Sequence, residues 1–272
     1  MIIGTPIGIL DIKNEKILFD TIIIDEAGQC IEPLAWCIFP MANKIVLAGD
    51  HLQLPPTVLS NQAVKFGFNK SILEVCFDKI PDIHLLNIQY RMREAIAGFS
   101  SEYFYKNLLK TAPQLANIDI HITFYDTAGT GFNEERGAQG SSLHNAGELD
   151  IVLKIIENKN LKHDTTAFIS PYNGQILLAN EKLSSSYRIS TIDSFQGQEQ
   201  QNIIISLVRS NEENNIGFLQ DYRRMNVAIT RAKERLFIIG DSATLAKDSF
   251  YNRLFEYIEK YGEYKSAWEL IE

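Results

Sequence analysis

The sequence predicts an α/β protein whose strands form parallel sheets. Seven short runs are rich in β-branched residues, and most lack the apolar–polar alternation of a strand with one solvated face. Segments with the 3.6-residue apolar period of a helix lie between them. This alternation of buried strands and helices favours right-handed crossovers in an α/β architecture. The runs are residues 21–25, 44–50, 83–86, 122–125, 166–170, 202–208 and 236–241.

Two stretches show helical spacing most clearly, residues 148–158 and 222–233. In the second, a rotation of 100° per residue puts Arg224, Arg231 and Arg235 on one face. Such a face is either a solvated basic surface or the source of an arginine aimed at a phosphate from a second domain.

The two remaining features are an apolar N-terminus and a glycine-rich stretch. Residues 1–7 lack the basic region and cleavage site of a signal peptide and resemble a core strand entered midway. Residues 126–142 contain four glycines and no apolar period, which predicts a surface loop.

Length and composition exclude several classes of protein. The 272 residues suffice for roughly two domains, and an apolar fraction of 45% is typical of folded globular chains. The net charge of −8 excludes a positive field over the whole surface, so a polyanion would need a local basic patch. Cys30, Cys37 and Cys76 form no CxxC pair, which disfavours a zinc site or disulfides and favours a cytoplasmic location. No apolar run approaches the ~18–20 residues of a membrane span.

An acidic pair, Asp25 and Glu26, follows the strand predicted at residues 21–25. Ligands bind at the carboxyl ends of strands in open α/β sheets. One carboxylate there can hold Mg²⁺ while its neighbour orients and deprotonates an attacking water. The alternative is that the pair caps the next helix.

Two further candidates also follow strand-like runs. Gln53, after the run 44–50, can hydrogen-bond a terminal phosphoryl group, or it belongs to a turn that Pro55 ends. Arg91 suits bidentate phosphate contact and Tyr90 offers a face for a stacked base, although an arginine in this position is more often part of a surface ion pair.

The segment 191–199 joins a short strand to the run at residue 202. Gly197 permits close approach of the backbone to a phosphate, and Glu199 can accept hydrogen bonds from ribose hydroxyls.

Six motifs occur in a fixed order: DEAGQ, GDHLQLPP, QYRM, SPYNGQ, STIDSFQGQE and MNVAITRAK. Together they resemble the motifs of superfamily 1 helicases, in particular the Upf-like group that includes the nonsense-mediated decay helicase, senataxin and Smubp-type helicases. The resemblance runs from about Ile2 to Asp241. It implies RecA-like parallel sheets, with ATP and Mg²⁺ in a cleft between two domains and single-stranded RNA or DNA across their top.

The resemblance also implies catalytic roles. Asp25 is similar to the magnesium-associated carboxylate, and Glu26 to the residue that activates water. Gln53 resembles the γ-phosphate sensor, while Arg91 and Arg231 resemble two arginine fingers.

Binding roles follow from the same resemblance. Tyr90 is similar to the adenine-stacking ring and Glu199 to the ribose-binding glutamate, with Gly197 beside the γ-phosphate. The stretches that face nucleic acid in the family contain Thr5, Pro55, Ser170, Pro171, Tyr172, Thr191 and Asn226.

One motif of the family is absent from these residues. A P-loop needs GxxxxGK[ST], and none of the 16 glycines is followed by lysine. We therefore expect residues 1–110 to be the C-terminal part of a first RecA-like domain and residues 111–272 a complete second one. The expected partners are single-stranded nucleic acid and an upstream segment or protein that carries the P-loop.

Three functions are compatible with this pattern. The first is an ATP-dependent helicase core that is inactive without the P-loop. The second is a non-catalytic nucleic-acid-binding or regulatory remnant. The third, a magnesium-dependent phosphohydrolase, would leave Gln53, Arg91 and Arg231 without a role. The intact catalytic positions favour the first.

Overall fold

The computed structural model describes residues 1–10, 18–77, 79–80, 82–116, 119, 121–137 and 142–271. It confirms the α/β class with parallel sheets. Contacts divide the chain into a first unit, Met1–Leu85, and a second unit, Leu86–Glu272, and each is described by itself. The domain boundary near residue 110 stays a prediction.

The strands are β1 (Phe19–Ile24), β2 (Ala42–Leu47), β3 (Ile88–Gln89), β4 (Lys110–Thr111), β5 (Ile122–Asp126), β6 (Glu135–Arg136), β7 (Leu143–His144), β8 (Thr166–Ser170), β9 (Arg188–Thr191), β10 (Gln200–Ser206), β11 (Ala232–Gly240) and β12 (Glu263–Ser266). The helices are α1 (Pro6–Leu10), α2 (Glu32–Ile38), α3 (Asn61–Lys65), α4 (Ile72–Phe77), α5 (Glu94–Tyr103), α6 (Ala146–Asn158), α7 (Asn173–Lys182), α8 (Tyr222–Ile229), α9 (Ser242–Leu245), α10 (Ser249–Tyr261) and α11 (Trp268–Ile271). Within the described residues, no helix is both long enough and apolar enough to cross a bilayer.

The second unit is built on a six-stranded sheet in the order β12-β5-β11-β10-β8-β9, with every neighbouring pair parallel. Successive residues of β5 point to opposite faces. Tyr125 packs in a cluster with Leu149 of α6, whereas the Phe124 ring lies 4.4 Å from that of Phe255 in α10. The sheet is therefore covered on both faces, as its continuous apolar runs predict.

The first unit contains the parallel pair β1 and β2. Ile22 and Ile24 pack against Ile38 of α2 and Ile72 of α4. Ile23, which points the other way, is 68% exposed. The prediction that this strand is buried on both faces is therefore wrong for the residues that the structure describes, because helices cover only one face of the pair.

The prediction of a strand is also wrong for two segments, the N-terminus and residues 83–86. Residues 1–5 are irregular and Pro6 begins α1, because Thr5 Oγ1 accepts a hydrogen bond from the Gly8 amide at 3.1 Å and proline is favoured in a first helical turn. Residues 83–86 are not a strand, and pairing begins only with β3, against β4. Part of the predicted loop at 126–142 forms a short antiparallel ladder of β6 with β7, and residues 138–141 lie outside the described residues.

The predicted helix 222–233 ends early. Helix α8 stops at Ile229, and β11 starts at Ala232. The Thr230 hydroxyl donates to the carbonyl of Asn226 at 2.8 Å, and Arg231 Nε donates to that of Val227 at 2.9 Å. These side-chain donors take the place of the backbone amides that a longer helix would supply to the carbonyls of its last turn. The helix can therefore end at Ile229. The prediction of one helical face carrying Arg224, Arg231 and Arg235 is therefore wrong.

Candidate functional site

In the first unit, the DEAGQ turn packs directly on the GDHLQ turn. The amide of Ala27 donates to the carbonyl of Ala48 at 2.8 Å. Gly49 has φ +154°, and a Cβ there would lie 2.9 Å from the amide nitrogens of Ala27 and Gly28. A side chain at residue 49 would therefore push the two turns apart, and the glycine is required for their contact.

The acidic pair lies on this junction with both side chains exposed. Asp25 Oδ1 accepts a hydrogen bond from the Glu26 amide at 3.0 Å, and Glu26 Oε2 accepts one from Gln29 Nε2 at 3.2 Å. Glu26 has φ +51°, a left-handed conformation that costs a non-glycine residue about 1–3 kcal/mol and occurs preferentially at functional sites. Its side chain makes no capping hydrogen bond to the short helical turn at 27–29, which disfavours the alternative of a cap.

Gln53 is held beside this pair of turns by Asp50. Its Nε2 donates to Asp50 Oδ2 at 2.9 Å, while Asp50 Oδ1 accepts the amide of Leu52 at 2.9 Å. The amide of Gln53 thus has a defined orientation. Asp50 is a positioning residue that the sequence reasoning missed, although it stands at the start of the turn it organises.

The side chains at this junction fit a Mg²⁺ ion that takes most of its ligands from phosphate oxygens and water. Within the described residues, no three His, Cys, Asp or Glu side chains are grouped so that they could enclose a metal ion. Mg²⁺ commonly takes one or two carboxylates and completes its shell with phosphate oxygens and water. The exposed Asp25 carboxylate has the chemistry of one such ligand.

In the second unit, residues from three motifs meet at Glu199. Arg91 Nε lies 2.5 Å from Glu199 Oε2, and Lys233 Nζ lies 2.5 Å from Glu199 Oε1. Arg91 Nη1 also donates to the carbonyl of Thr230 at 3.2 Å. The hydrogen bond from Lys233, followed by the hydrogen bond and charge of Arg91, holds the pKa of Glu199 below its ordinary value despite partial burial.

The turn that carries Arg91 is organised by the first residue of its motif. Gln89 Oε1 accepts the amides of Arg91 and Met92 at 2.9 and 2.8 Å. Gln89 Nε2 donates to the carbonyl of Met92 at 2.8 Å and to Thr111 Oγ1 at 2.9 Å. Three of these contacts hold the backbone of residues 91 and 92 and the fourth anchors Gln89 to Thr111, so Gln89 positions the arginine without contacting its guanidinium.

Arg231 is only 3% exposed. Its Nε donates to Val227 as described above, its Nη1 donates to the carbonyl of Gln198 at 3.3 Å, and its Nη2 donates to Thr230 Oγ1 at 3.1 Å. These contacts connect the end of α8 to the QGQE loop. The neighbouring Gly197 has φ +75°, and a Cβ there would meet no atom within 4 Å. Backbone conformation rather than crowding therefore requires glycine at 197.

The remaining predicted residues differ in accessibility. Tyr90 is 68% exposed, which suits a stacking surface, and Pro55 and Pro171 are half-buried. Thr191 Oγ1 donates to Ser194 Oγ at 3.0 Å.

Three residues predicted to face nucleic acid have buried side chains: Ser170, Tyr172 and Asn226. Ser170 Oγ donates to the carbonyl of Ser206 at 3.0 Å, and Asn226 Nδ2 donates to the Tyr105 hydroxyl at 3.0 Å. These residues can therefore present backbone, rather than side chain, to a ligand in the described conformation.

Lys233, the third residue that meets at Glu199, was not singled out as a site residue by the sequence. The available signal was its position two residues after Arg231, at the end of the segment predicted as the helix 222–233. Its contact with Glu199 follows from the early start of β11.

Two family models match the chain, and both are described as an AAA domain; one matches residues 2–61 and the other residues 68–243. The DNA-binding protein SMUBP-2 of Mesocricetus auratus is 34% identical over 276 residues, which cover 93% of this chain and 28% of that protein. The uncharacterized ATP-dependent helicase MJ0104 of Methanocaldococcus jannaschii is 35% identical over 272 residues, covering 90% and 39%. The chain thus spans 28–39% of the length of these two relatives. The crystal structure of the arterivirus nonstructural protein 10 helicase is 14% identical, with a TM-score of 0.46, and the match covers 85% of this chain and 40% of that one.

Proposed function

This chain belongs to the Upf-like group of superfamily 1 helicases, and from that premise we propose that it supplies part of an ATP-dependent motor that moves along single-stranded RNA or DNA. The proposal assigns ATP and Mg²⁺ as cofactors and places the hydrolytic residues in the motifs described above. A cytoplasmic location, which agrees with the free cysteines Cys30, Cys37 and Cys76, is part of the same proposal.

The observation that carries the proposal is the meeting of Arg91, Glu199 and Lys233 in the second unit. Arg91 and Glu199 are 108 residues apart in sequence, so the contact depends on the fold. Two cations and one carboxylate leave a net charge of +1, and each side chain is at least one-third exposed. An accessible positive group of this kind attracts a nucleotide phosphate, and the arginine can bind it in a bidentate manner.

Each residue has one task in the proposed hydrolysis. Mg²⁺, when bound, polarises the phosphate oxygens and offsets their charge. Asp25 supplies a carboxylate ligand, and Glu26 accepts the proton of the attacking water. Gln53 donates its amide to the terminal phosphoryl group. Arg91 stabilises the charge of the transferred phosphoryl group, and Arg231, which is 3% exposed, does so after exchanging a contact such as that with Gln198 for a phosphate oxygen.

We expect these 272 residues alone to bind ATP weakly, because they contain no P-loop. The missing amides and lysine would otherwise make several charge-assisted hydrogen bonds to the β- and γ-phosphates, worth ~1.5–3 kcal/mol each. Stacking on Tyr90 and a contact to Glu199 do not replace them. Single-strand binding through phosphate contacts should persist, weakly and with strong salt dependence.

An ATPase assay tests the proposal on two proteins. One is the 272-residue chain, and the other, the P-loop-completed chain, joins a P-loop-containing segment of a family member ahead of residue 1. We expect no turnover from the first and turnover stimulated by single-stranded RNA or DNA from the second. Robust turnover by the first would contradict the P-loop requirement. No turnover by the second would instead favour the non-catalytic nucleic-acid-binding remnant.

A further inference from the structure

Glu199 has a second cationic partner that the proposed hydrolysis does not use. Its two carboxylate oxygens are divided between the cations, since Oε2 faces Arg91 Nε and Oε1 faces Lys233 Nζ, each at 2.5 Å. One partner can therefore leave without displacing the other.

The two contacts differ in how the backbones that carry them are connected. Glu199 directly precedes β10, and Lys233 is the second residue of β11; Gln200 and Ala232 are paired between these two parallel strands. The amide of Gln200 also donates to the carbonyl of Arg231 at 3.0 Å. Paired strand ends thus hold the backbone of the lysine beside that of the glutamate, whereas Arg91 reaches the glutamate from a separate turn, the one that Gln89 organises.

All three side chains are accessible to a ligand. The side chains of Arg91, Glu199 and Lys233 are 34%, 37% and 40% exposed. Ion pairs with this degree of exposure contribute little to folding stability, so one partner can be exchanged without unfolding its surroundings.

We propose that Lys233 is a positioning residue that keeps the Glu199 carboxylate in place while Arg91 exchanges that carboxylate for a nucleotide phosphate. The inference rests on the proposed function, in which Glu199 accepts ribose hydroxyls and Arg91 meets the terminal phosphate. Without nucleotide, Arg91 occupies Oε2. A ribose hydroxyl that donates to Oε2 replaces Arg91 Nε, and the freed guanidinium turns to a phosphate of higher charge.

Lys233 has two effects in this exchange. It fixes the position of the carboxylate through Oε1, and it favours the ionised form, which accepts hydrogen bonds but does not donate them. Its hydrogen bond is the main cause that lowers the pKa of Glu199. Removing Arg91 from Oε2 therefore leaves the larger of the two stabilising contacts intact.

The first test measures the Glu199 pKa in the 272-residue chain by ¹³C NMR of the side-chain carboxyl group. We expect Lys233→Met to raise this pKa and Lys233→Arg to restore it. Lys265→Met is the matched control, because Lys265 makes a similar pair with Glu263, at 3.0 Å and with 29% exposure, away from this cluster. An unchanged Glu199 pKa in Lys233→Met would overturn the proposal.

The second test measures ATP turnover by the P-loop-completed chain with ATP and with 2′,3′-dideoxy-ATP. We expect Lys233→Met to raise the KM for ATP about tenfold more than the KM for the dideoxy nucleotide, as for the loss of a hydrogen bond to a charged group. The lost lysine charge affects both nucleotides, whereas the lost ribose contact affects ATP alone. Lys233→Arg should restore the preference for ribose. Equal losses with both nucleotides would indicate a structural role and overturn the inference.

The two tests separate this inference from the proposed function. A wild-type P-loop-completed chain that hydrolyses both nucleotides equally well would overturn the inference and leave the proposed function standing. A wild-type chain that hydrolyses neither would overturn both.

Discussion

Glu148 is a buried carboxyl group that should make the stability of the second unit depend on pH. It lies in the first turn of α6 and is fully buried. Its Oε2 accepts hydrogen bonds from Ser206 Oγ at 2.5 Å and from the amide of Val208 at 2.9 Å. Among the described residues, its Oε1 has no hydrogen-bond partner. The group therefore lacks the positive partner that a buried carboxylate needs.

Burial raises the pKa of Glu148 from 4.5 to about 8, and the nearby Asp241 adds to the shift while the hydrogen bonds oppose it. The folded state thus holds a proton that the unfolded state loses above about pH 4.5. The corresponding stability is fully present below that pH and is lost as the pH rises through about 8. With these two pKa values, the free energy of unfolding should fall by about 2.5 kcal/mol between pH 5 and pH 7.

The variant Glu148→Gln isolates this contribution. Its amide oxygen can accept the two hydrogen bonds made by Oε2, and its NH₂ group replaces the protonated Oε1 without adding a charge. We expect urea unfolding, followed by circular dichroism from pH 5 to pH 8, to give a shallower pH dependence for the variant. Amide exchange of Ile203–Ile205 in β10 would assign the difference to the second unit.

The difference between the pH profiles of the wild type and Glu148→Gln reports the titration of Glu148, because all other titrating groups are common to both proteins. Parallel profiles for the wild type and Glu148→Gln would show that Glu148 does not titrate in this range, and would refute the reasoning from burial. A change of the urea m-value with pH would have to be excluded first, since it signals a change in the exposed surface rather than in protonation.

The remaining predictions concern the P-loop-completed chain. Arg91→Ala and Arg231→Ala should each lower kcat by about 10³ or more, as loss of an arginine finger does, and turnover near the wild-type level would exclude the residue from that role. Arg231→Ala should also lower the Tm more than Arg91→Ala does, because it removes a buried side chain that donates to the carbonyls of Val227 and Gln198. Glu26→Gln should bind ATP and magnesium but hydrolyse ATP very slowly, whereas Asp25→Asn should also weaken magnesium-dependent binding. Full hydrolysis by Glu26→Gln in a steady-state assay would show that another residue is the general base.

The sequence alone determined the α/β class, the strands of the six-stranded sheet that carry continuous apolar runs, and the family. These features depend on local pattern, because an apolar run such as residues 202–208 is typical of a strand covered on both faces. The motif order likewise identified Arg91 and Glu199 as members of one candidate site before any contact was known. Their roles at a nucleotide remain predictions.

The tertiary structure decided where periodic segments end and which charges meet. The apolar period continues past Ile229, but the side chains of Thr230 and Arg231 donate hydrogen bonds to the last carbonyls of α8, and the helix ends there. Strand β11 then begins, and its early start brings Lys233 to Glu199. Nothing in the local pattern shows that Glu148 meets Ser206 and Val208 in a buried space, since these residues lie 58 and 60 positions away. Desolvation and ion pairing depend on distance in space rather than in sequence, so the ionisation of Glu148 and the sharing of Glu199 between two cations follow only from the folded chain.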